Sequence, residues 1–439
     1  MTVVRYAPSP TGWLHLGNAR PALLNWLFAL KAGGSYILRL DDTDRVRSTE
    51  AFAAGIEEDL AWLGIEPASK VRQSDRTELY DAAHDRLIAA GRLYPAYETE
   101  DELEIKRGRA RLLGKPPIYD RAALSLTDEQ KRAFEAEGRK PHWRFRLDGR
   151  PVEFNDLIKG PQTVNTASMS DPVLIREDGS YLYTLPSVVD DIDLAITHVI
   201  RGEDHVSNTG TQIEIFEALG GKVPEFGHHN LLTGAEGEGL SKRIGSLSLS
   251  ELRDEGFESL AVASVAVLTG TSLPVEPYAD LRAIADKLDL SMISHGPARY
   301  DPAELESLNA RLLHEMPYEV ARARLPRAVG AAAWEILRAN LRKFSDIDAW
   351  AQVMAGEAAH TAPAEDHAFL TEALELLPPE PWDENTWSEW TGALKAKSGR
   401  KGRALFHPLR LALTGREDGP DFKSLLPLLG RKVCRDRLS

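Results

Sequence analysis

At 439 residues with a net charge of −14, the chain has room for roughly three domains and is too acidic for a generally adhesive nucleic-acid binder, although a local basic surface on an acidic body stays open. No apolar run approaches the roughly 20 residues that span a bilayer, and the opening residues read as a strand rather than a leader, so a cytoplasmic protein is expected. The single cysteine, Cys434, excludes an intrachain disulfide and any multi-cysteine zinc site.

Residues 2–5 form a short β-branched run that reads as a buried strand, and Pro8, Pro10 and Gly12 then break it. From Asn18 the apolar period becomes helical, through Ala19, Ala22, Leu23, Trp26, Leu27 and Leu30, until Gly33 and Gly34 end it. His15 and Gly17 therefore stand at a helix N-terminus, where free backbone N–H groups and a partial positive charge suit an anion such as a nucleotide phosphate. Gly17, without a Cβ, would let a ligand approach the backbone, and His15 could donate to a phosphate or ribose oxygen without a full-time charge. Alone, the stretch reads equally as a Pro/Gly turn beside a packing histidine.

A second strand over 35–40 is followed by Asp41, Asp42 and Asp44 at its C-terminal end, the place where open α/β sheets hold ligands. Amphipathic helices are expected over 49–63 and 76–90. Strand, helix, strand is the start of a doubly wound parallel sheet, and this first half of the catalytic domain is assigned to residues 1–92. From 93 to 180 the pattern breaks into short strands, Pro116-Pro117, and a basic helix with Lys106, Arg107, Arg109, Arg111 and Lys115, which reads as an inserted α+β domain. The strand and helix pattern returns over 181–232 as the second half of the nucleotide fold. Gly234, Gly237 and Gly239 then precede Ser241, Lys242 and Arg243, a glycine-rich loop with adjacent cations that alone could be a solvated hinge. From about 249 onward the chain is mostly helical, and no repeat of fixed period stands out.

A histidine at a helix mouth and a lysine on a flexible glycine loop share one use, the binding of a triphosphate. In order and context, His15-Leu16-Gly17-Asn18 and Gly239-Leu240-Ser241-Lys242-Arg243 resemble the two signature motifs of class I aminoacyl-tRNA synthetases. Residues 5–12, Leu38-Arg39-Leu40-Asp41-Asp42-Thr43-Asp44 and Val199-Ile200-Arg201-Gly202-Glu203-Asp204-His205 resemble the bacterial glutamyl-tRNA synthetase branch. The likeness is close over the first 250 or so residues and looser in the helical remainder.

The resemblance implies a class I synthetase Rossmann-like sheet with an inserted acceptor-binding domain, a stem-contact domain over 233–316 and a helical anticodon-binding region over 317–439. It implies that glutamate and ATP, with magnesium, form glutamyl-adenylate and diphosphate, and that the glutamyl group then passes to tRNA. No covalent nucleophile is needed for this, because the α-carboxylate attacks the α-phosphate directly. His15 and Lys242 are the expected catalytic residues, with Ala7, His15, Gly17, Ser241, Lys242 and Arg243 around ATP. Arg5 at a strand end is placed to take the substrate carboxylate, its alternative being an ion pair to Asp41 or Asp44. By the same resemblance Ser9, Asp41, Tyr183, Ser187 and Arg201 complete the glutamate pocket, Asp41 on the ammonium group. Asp190 and Asp191 read as caps of a turn and are left out.

Three departures from the family pattern stand out. Asp41 replaces a longer glutamate, Gly239 stands where a first lysine is usual, and residues 94–97 lack the cysteines of relatives with a zinc knob, so no zinc is expected. For tRNA, Lys106 and Arg107 in the insert, and Arg342 and Lys343 farther on, are the expected contacts, with a bias toward tRNA-Glu and tRNA-Gln left open. A monomer is expected. A tRNA-independent adenylyltransferase, or a paralogue that modifies a tRNA base, would lack residues 317–439, and a non-enzymatic relative would lose Arg5, His15 or Lys242.

Overall fold

The switch of apolar period near residue 16 is also where the backbone turns from strand to helix. In the computed structural model, which describes residues 1–234, 236–238, 240, 248–359 and 364–439, β1 (Val3–Tyr6), α1 (Leu16–Ala32), β2 (Ser35–Leu40), α2 (Glu50–Trp62), β3 (Ser69–Arg72) and α3 (Thr77–Ala89) follow one another. The three strands are parallel, Val4 lying beside Tyr36 and Leu38 beside Lys70. Val4, Leu38, Leu23 and Leu24 are buried between sheet and helix, which is why these strands read as nearly continuous apolar runs. Gly33 closes α1 in the left-handed region at φ 58°, a conformation that strains other residues.

The insert consists of β4 (Leu93–Ala96), α4 (Glu100–Leu112), α5 (Asp128–Ala136), β5 (His142–Phe145), β6 (Pro151–Asp156), β7 (Gly160–Asn165) and β8 (Val173–Ile175). Only β4, β5 and β8 form a sheet of their own. The β6–β7 hairpin, turning at Gly160, instead extends the main sheet, with Asp156 beside Phe226. After α6 (Thr184–Asp193) come β9 (His198–Gly202), α7 (Val206–Ala218) and β10 (Glu225–His229). The main sheet has the order β3-β2-β1-β9-β10-β6-β7.

The chain thus begins in the middle of the sheet, winds outward to β3, and returns on the other side of β1 as β9. This doubly wound order leaves a crevice at the C-terminal ends of β1 and β9, where the winding reverses. Arg5 and Arg201 belong to those two strands.

Two compact units result, one of residues 1–250 with 263–301, the other of 251–262 with 302–439. In the first, the buried Arg20 of α1 donates to the carbonyls of Ala266 (2.7 Å) and Thr269 (2.9 Å), tying the returning segment to the nucleotide fold. The second is helical and closes around Trp334, Trp350 and Trp390, each essentially fully buried. No helix among the described residues is long and apolar enough to cross a membrane.

Candidate active site

His15 is the N-cap of α1, and its extended backbone lets the side chain turn back on the first turn. Its Nδ1 accepts from the Gly17 N–H at 3.1 Å, while Asn18 Oδ1 accepts from the His15 N–H at 3.3 Å. With Nδ1 used as an acceptor, the ring proton sits on Nε2. Burial holds the imidazole below its ordinary pKa, so the ring is a neutral donor near pH 7. Gly17 has a structural reason besides: a Cβ there would lie 2.9 Å from His15 Cε1, so glycine also makes room for the imidazole itself.

The same mouth opens a cleft of about 710 Å³ lined by Arg5, Ala7, Ser9, His15, Gly17, Asp41, Tyr183 and Arg201, eight of the expected residues from elements far apart in sequence. Ser187 is instead fully buried behind this wall, its hydroxyl accepting from Arg39 Nη2 at 3.2 Å. Ser241, Lys242, Arg243 and Gly239 lie outside the described residues. On either side of 241–247, Leu240 lines the cleft and Ser248 pairs with His15.

Charges behind the cleft form a buried lattice that the sequence reading missed. Arg39 binds both oxygens of Asp41, at 2.7 and 3.1 Å, and reaches Asp191 at 2.8 Å. Arg5 donates from Nε to Asp191 at 3.2 Å rather than to Asp41 or Asp44. Asp190 accepts from Gln73 (2.9 Å), Arg76 (2.7 Å) and the Tyr80 hydroxyl (3.0 Å). Asp190 and Asp191 are therefore not turn caps: α6 carries both into the core, Asp191 as counter-ion of Arg5 and Arg39 on the sheet and Asp190 of Arg76 at the start of α3. The available signal was the pairing of strand arginines at 5 and 39 with acids on a helix whose other side is apolar. Burial raises the Asp41 carboxyl to about 6 against the pull of Arg39 and Arg5.

Arg201 presents the opposite situation. It is buried, yet among the described residues its guanidinium meets no carboxylate, only the Tyr183 hydroxyl (3.1 Å), Thr209 Oγ1 (2.8 Å), His228 Nε2 (3.1 Å) and the His205 carbonyl (3.4 Å). Burial lowers its pKa, against the opposing pull of Tyr183 and Asp191. A buried cation without a counter-ion on a cleft wall is a place for an anion.

The expected tRNA contacts lie elsewhere. Lys106 pairs with Glu98 (3.3 Å) and Asp120 (3.2 Å), and Arg107 with Glu100 (2.9 Å) and Glu104 (2.6 Å), so acids on and beside α4 offset much of the basic face. Arg109 and Lys115 have no ion-pair partner among the described residues and line the same cleft of about 1080 Å³ as Lys106 and Arg107. In the second unit, Lys343 pairs with Glu255 and lies over the Phe257 ring, and the Arg342 N–H donates to Asp346 at 2.9 Å. Among the described residues, no group of three or more His, Cys, Asp or Glu side chains is arranged to hold a metal ion.

Comparison with known proteins identifies the family. A family profile described as tRNA synthetases class I (E and Q), catalytic domain, matches residues 1–306, and an anticodon binding domain profile matches 316–439. The glutamate–tRNA ligase 2 of a Methylobacterium species is 62% identical over 99% of this chain and 98% of its own, and that of Methylobacterium radiotolerans 60% identical over 100% and 99%. A crystal structure of a glutamate tRNA ligase from Elizabethkingia meningosepticum in complex with its amino acid superposes with a TM-score of 0.83 at 25% identity, covering 100% of this chain and 98% of that one. With its catalytic region and its helical region both matched and its relatives aligned from end to end, the chain belongs to the glutamyl-tRNA synthetase family of class I.

Proposed function

We propose that this cleft activates L-glutamate with ATP and delivers it to tRNA, releasing AMP and diphosphate, as an aminoacyl-tRNA synthetase of protein synthesis. The observation that carries the reading is the uncompensated Arg201 facing the same cleft as Arg5 and a neutral His15 at a helix N-terminus.

Glutamate brings two carboxylates and one ammonium group. We assign its side-chain carboxylate to Arg5 and Arg201, which Asp191 and the Tyr183 hydroxyl hold in place, and its ammonium group to Asp41. Ser9 lines the same wall, and Ser187 acts from behind it through Arg39. The α-carboxylate attacks the ATP α-phosphate, the mixed anhydride forms, and diphosphate leaves; the terminal ribose hydroxyl of tRNA then attacks the carbonyl carbon and AMP leaves. His15 donates from Nε2 to the phosphate as charge develops, with Ala7 and Gly17 beside it. Lys242, with Ser241 and Arg243, is assigned to the same phosphates by family likeness. Magnesium bound to ATP offsets the diphosphate charge.

The acceptor end is assigned to the insert and the anticodon to the second unit, with the domain limits 92, 180, 232 and 316 retained as proposals. Lys106, Arg107, Arg342 and Lys343 remain the proposed tRNA contacts, for a monomer that acts in the cytoplasm without zinc and favours tRNA-Glu over tRNA-Gln. ATP–diphosphate exchange with each amino acid, with and without total tRNA, tests the reading: exchange driven by an amino acid other than glutamate overturns it.

A further inference from the structure

Arg201 is aimed by a relay that begins in the insert. Asp156, at the end of β6, is fully enclosed and accepts from the backbone N–H groups of Ile158 (2.9 Å), Lys159 (2.9 Å) and His228 (3.1 Å). Its other oxygen lies 2.5 Å from His228 Nδ1. Burial alone would raise this carboxyl, but the bonds from His228 and the backbone hold it below its ordinary range, so it is an ionised acceptor. His228 Nδ1 must then carry the ring proton, which leaves Nε2 an acceptor, with the Thr209 hydroxyl also 3.1 Å from it. That acceptor faces Arg201 Nε at 3.1 Å, and Thr209 Oγ1 takes Arg201 Nη2 at 2.8 Å. With the Tyr183 hydroxyl on Nη1 at 3.1 Å, each Arg201 nitrogen is held by a neutral acceptor, and its charge stays available to the cleft.

We propose that Asp156 and His228 are positioning residues for glutamate: they lock the histidine tautomer that presents an acceptor to Arg201, fixing the guanidinium plane without neutralising it. A carboxylate in place of His228 would orient Arg201 equally well but would cancel the charge the substrate needs. This inference rests on the assignment of Arg201 to the substrate carboxylate. It also explains why the β6–β7 hairpin is built into the main sheet, since only pairing of β6 with β10 puts Asp156 beside His228.

Aminoacylation kinetics of the full chain test it, with thermal unfolding as a control for folding. In His228→Asn the amide nitrogen can replace Nδ1 toward Asp156 while the acceptor for Arg201 is lost; in His228→Gln the amide oxygen can replace Nε2. The expected result is a rise of about tenfold or more in the KM for glutamate for Asn, with kcat and the KM for ATP nearly unchanged, and substantial recovery for Gln. Thr209→Val, which removes the second acceptor, should move the glutamate KM in the same direction. Equal behaviour of Asn and Gln, or losses spread over glutamate, ATP and kcat alike, overturns the relay. Arg201→Gln separates the two levels: if it leaves the glutamate KM unchanged, the assignment of Arg201 fails and the relay with it, whereas a raised KM there beside a normal His228→Asn overturns the relay alone.

Discussion

The imidazole of His15 fills the space that a side chain at residue 17 would need, with its Nδ1 bonded to the Gly17 N–H at 3.1 Å. Cap and proposed phosphate donor are one group, so the bond that starts α1 also selects the Nε2–H tautomer.

Gly17→Ala should therefore damage catalysis more than folding. Alanine favours the helix by about 0.5–1 kcal/mol, which offsets part of the disturbed cap. Displacing the ring by about 1 Å costs on the order of 100-fold in rate. Single-turnover adenylate formation alongside a melting curve would check this, and full activity in the variant would show that the imidazole has another place to go.

Lys242→Ala is expected to lower adenylate formation on the order of 100- to 1000-fold while leaving unfolding unchanged, because a cation assigned to the phosphates contributes mainly to the transition state. Near-normal exchange would remove Lys242 from the mechanism.

If Arg5 takes the substrate carboxylate as proposed, Arg5→Leu leaves it short of one partner, a loss on the order of 2–5 kcal/mol in binding. Asp191 keeps its 2.8 Å bond to Arg39, so the fold should survive the change. Competition between glutamate and glutamine is the readout; unaltered discrimination makes Arg5 a structural residue.

Glutamate binding should weaken as the solution is acidified through about pH 6, where the raised Asp41 carboxyl takes up its proton. The sign follows from the substrate: an ammonium group needs the ionised carboxylate, so affinity is full above about 6 and lost below it. A KM-against-pH profile for wild type and Asp41→Asn checks this, since the variant should lose the acidic limb and bind weakly throughout.

Lys343→Gly should relax any preference for tRNA-Glu over tRNA-Gln, measured by charging both. Because Lys343 is paired with Glu255, binding an anticodon must compete with that contact. An unchanged preference in the variant would leave Lys343 with that structural role.

The helix mouth was legible in the sequence because capping is a local matter: His15, Gly17 and Asn18 satisfy one another within four residues, and Gly33 ends the same helix by its own conformation. The strands at 3–6 and 35–40 were legible because a sheet buried on both faces leaves a continuous apolar run. Resemblance then named most of the cleft wall. What composition and spacing could not show was which charge answers which. Arg5 finds Asp191 rather than its neighbours at 41 and 44 because α6 packs its acids against the ends of β1 and β2. Asp156 reaches His228 because a hairpin from the insert pairs with β10. Such partners are chosen by strand order, a property of the folded sheet, and buried charges must be matched there whatever their distance along the chain.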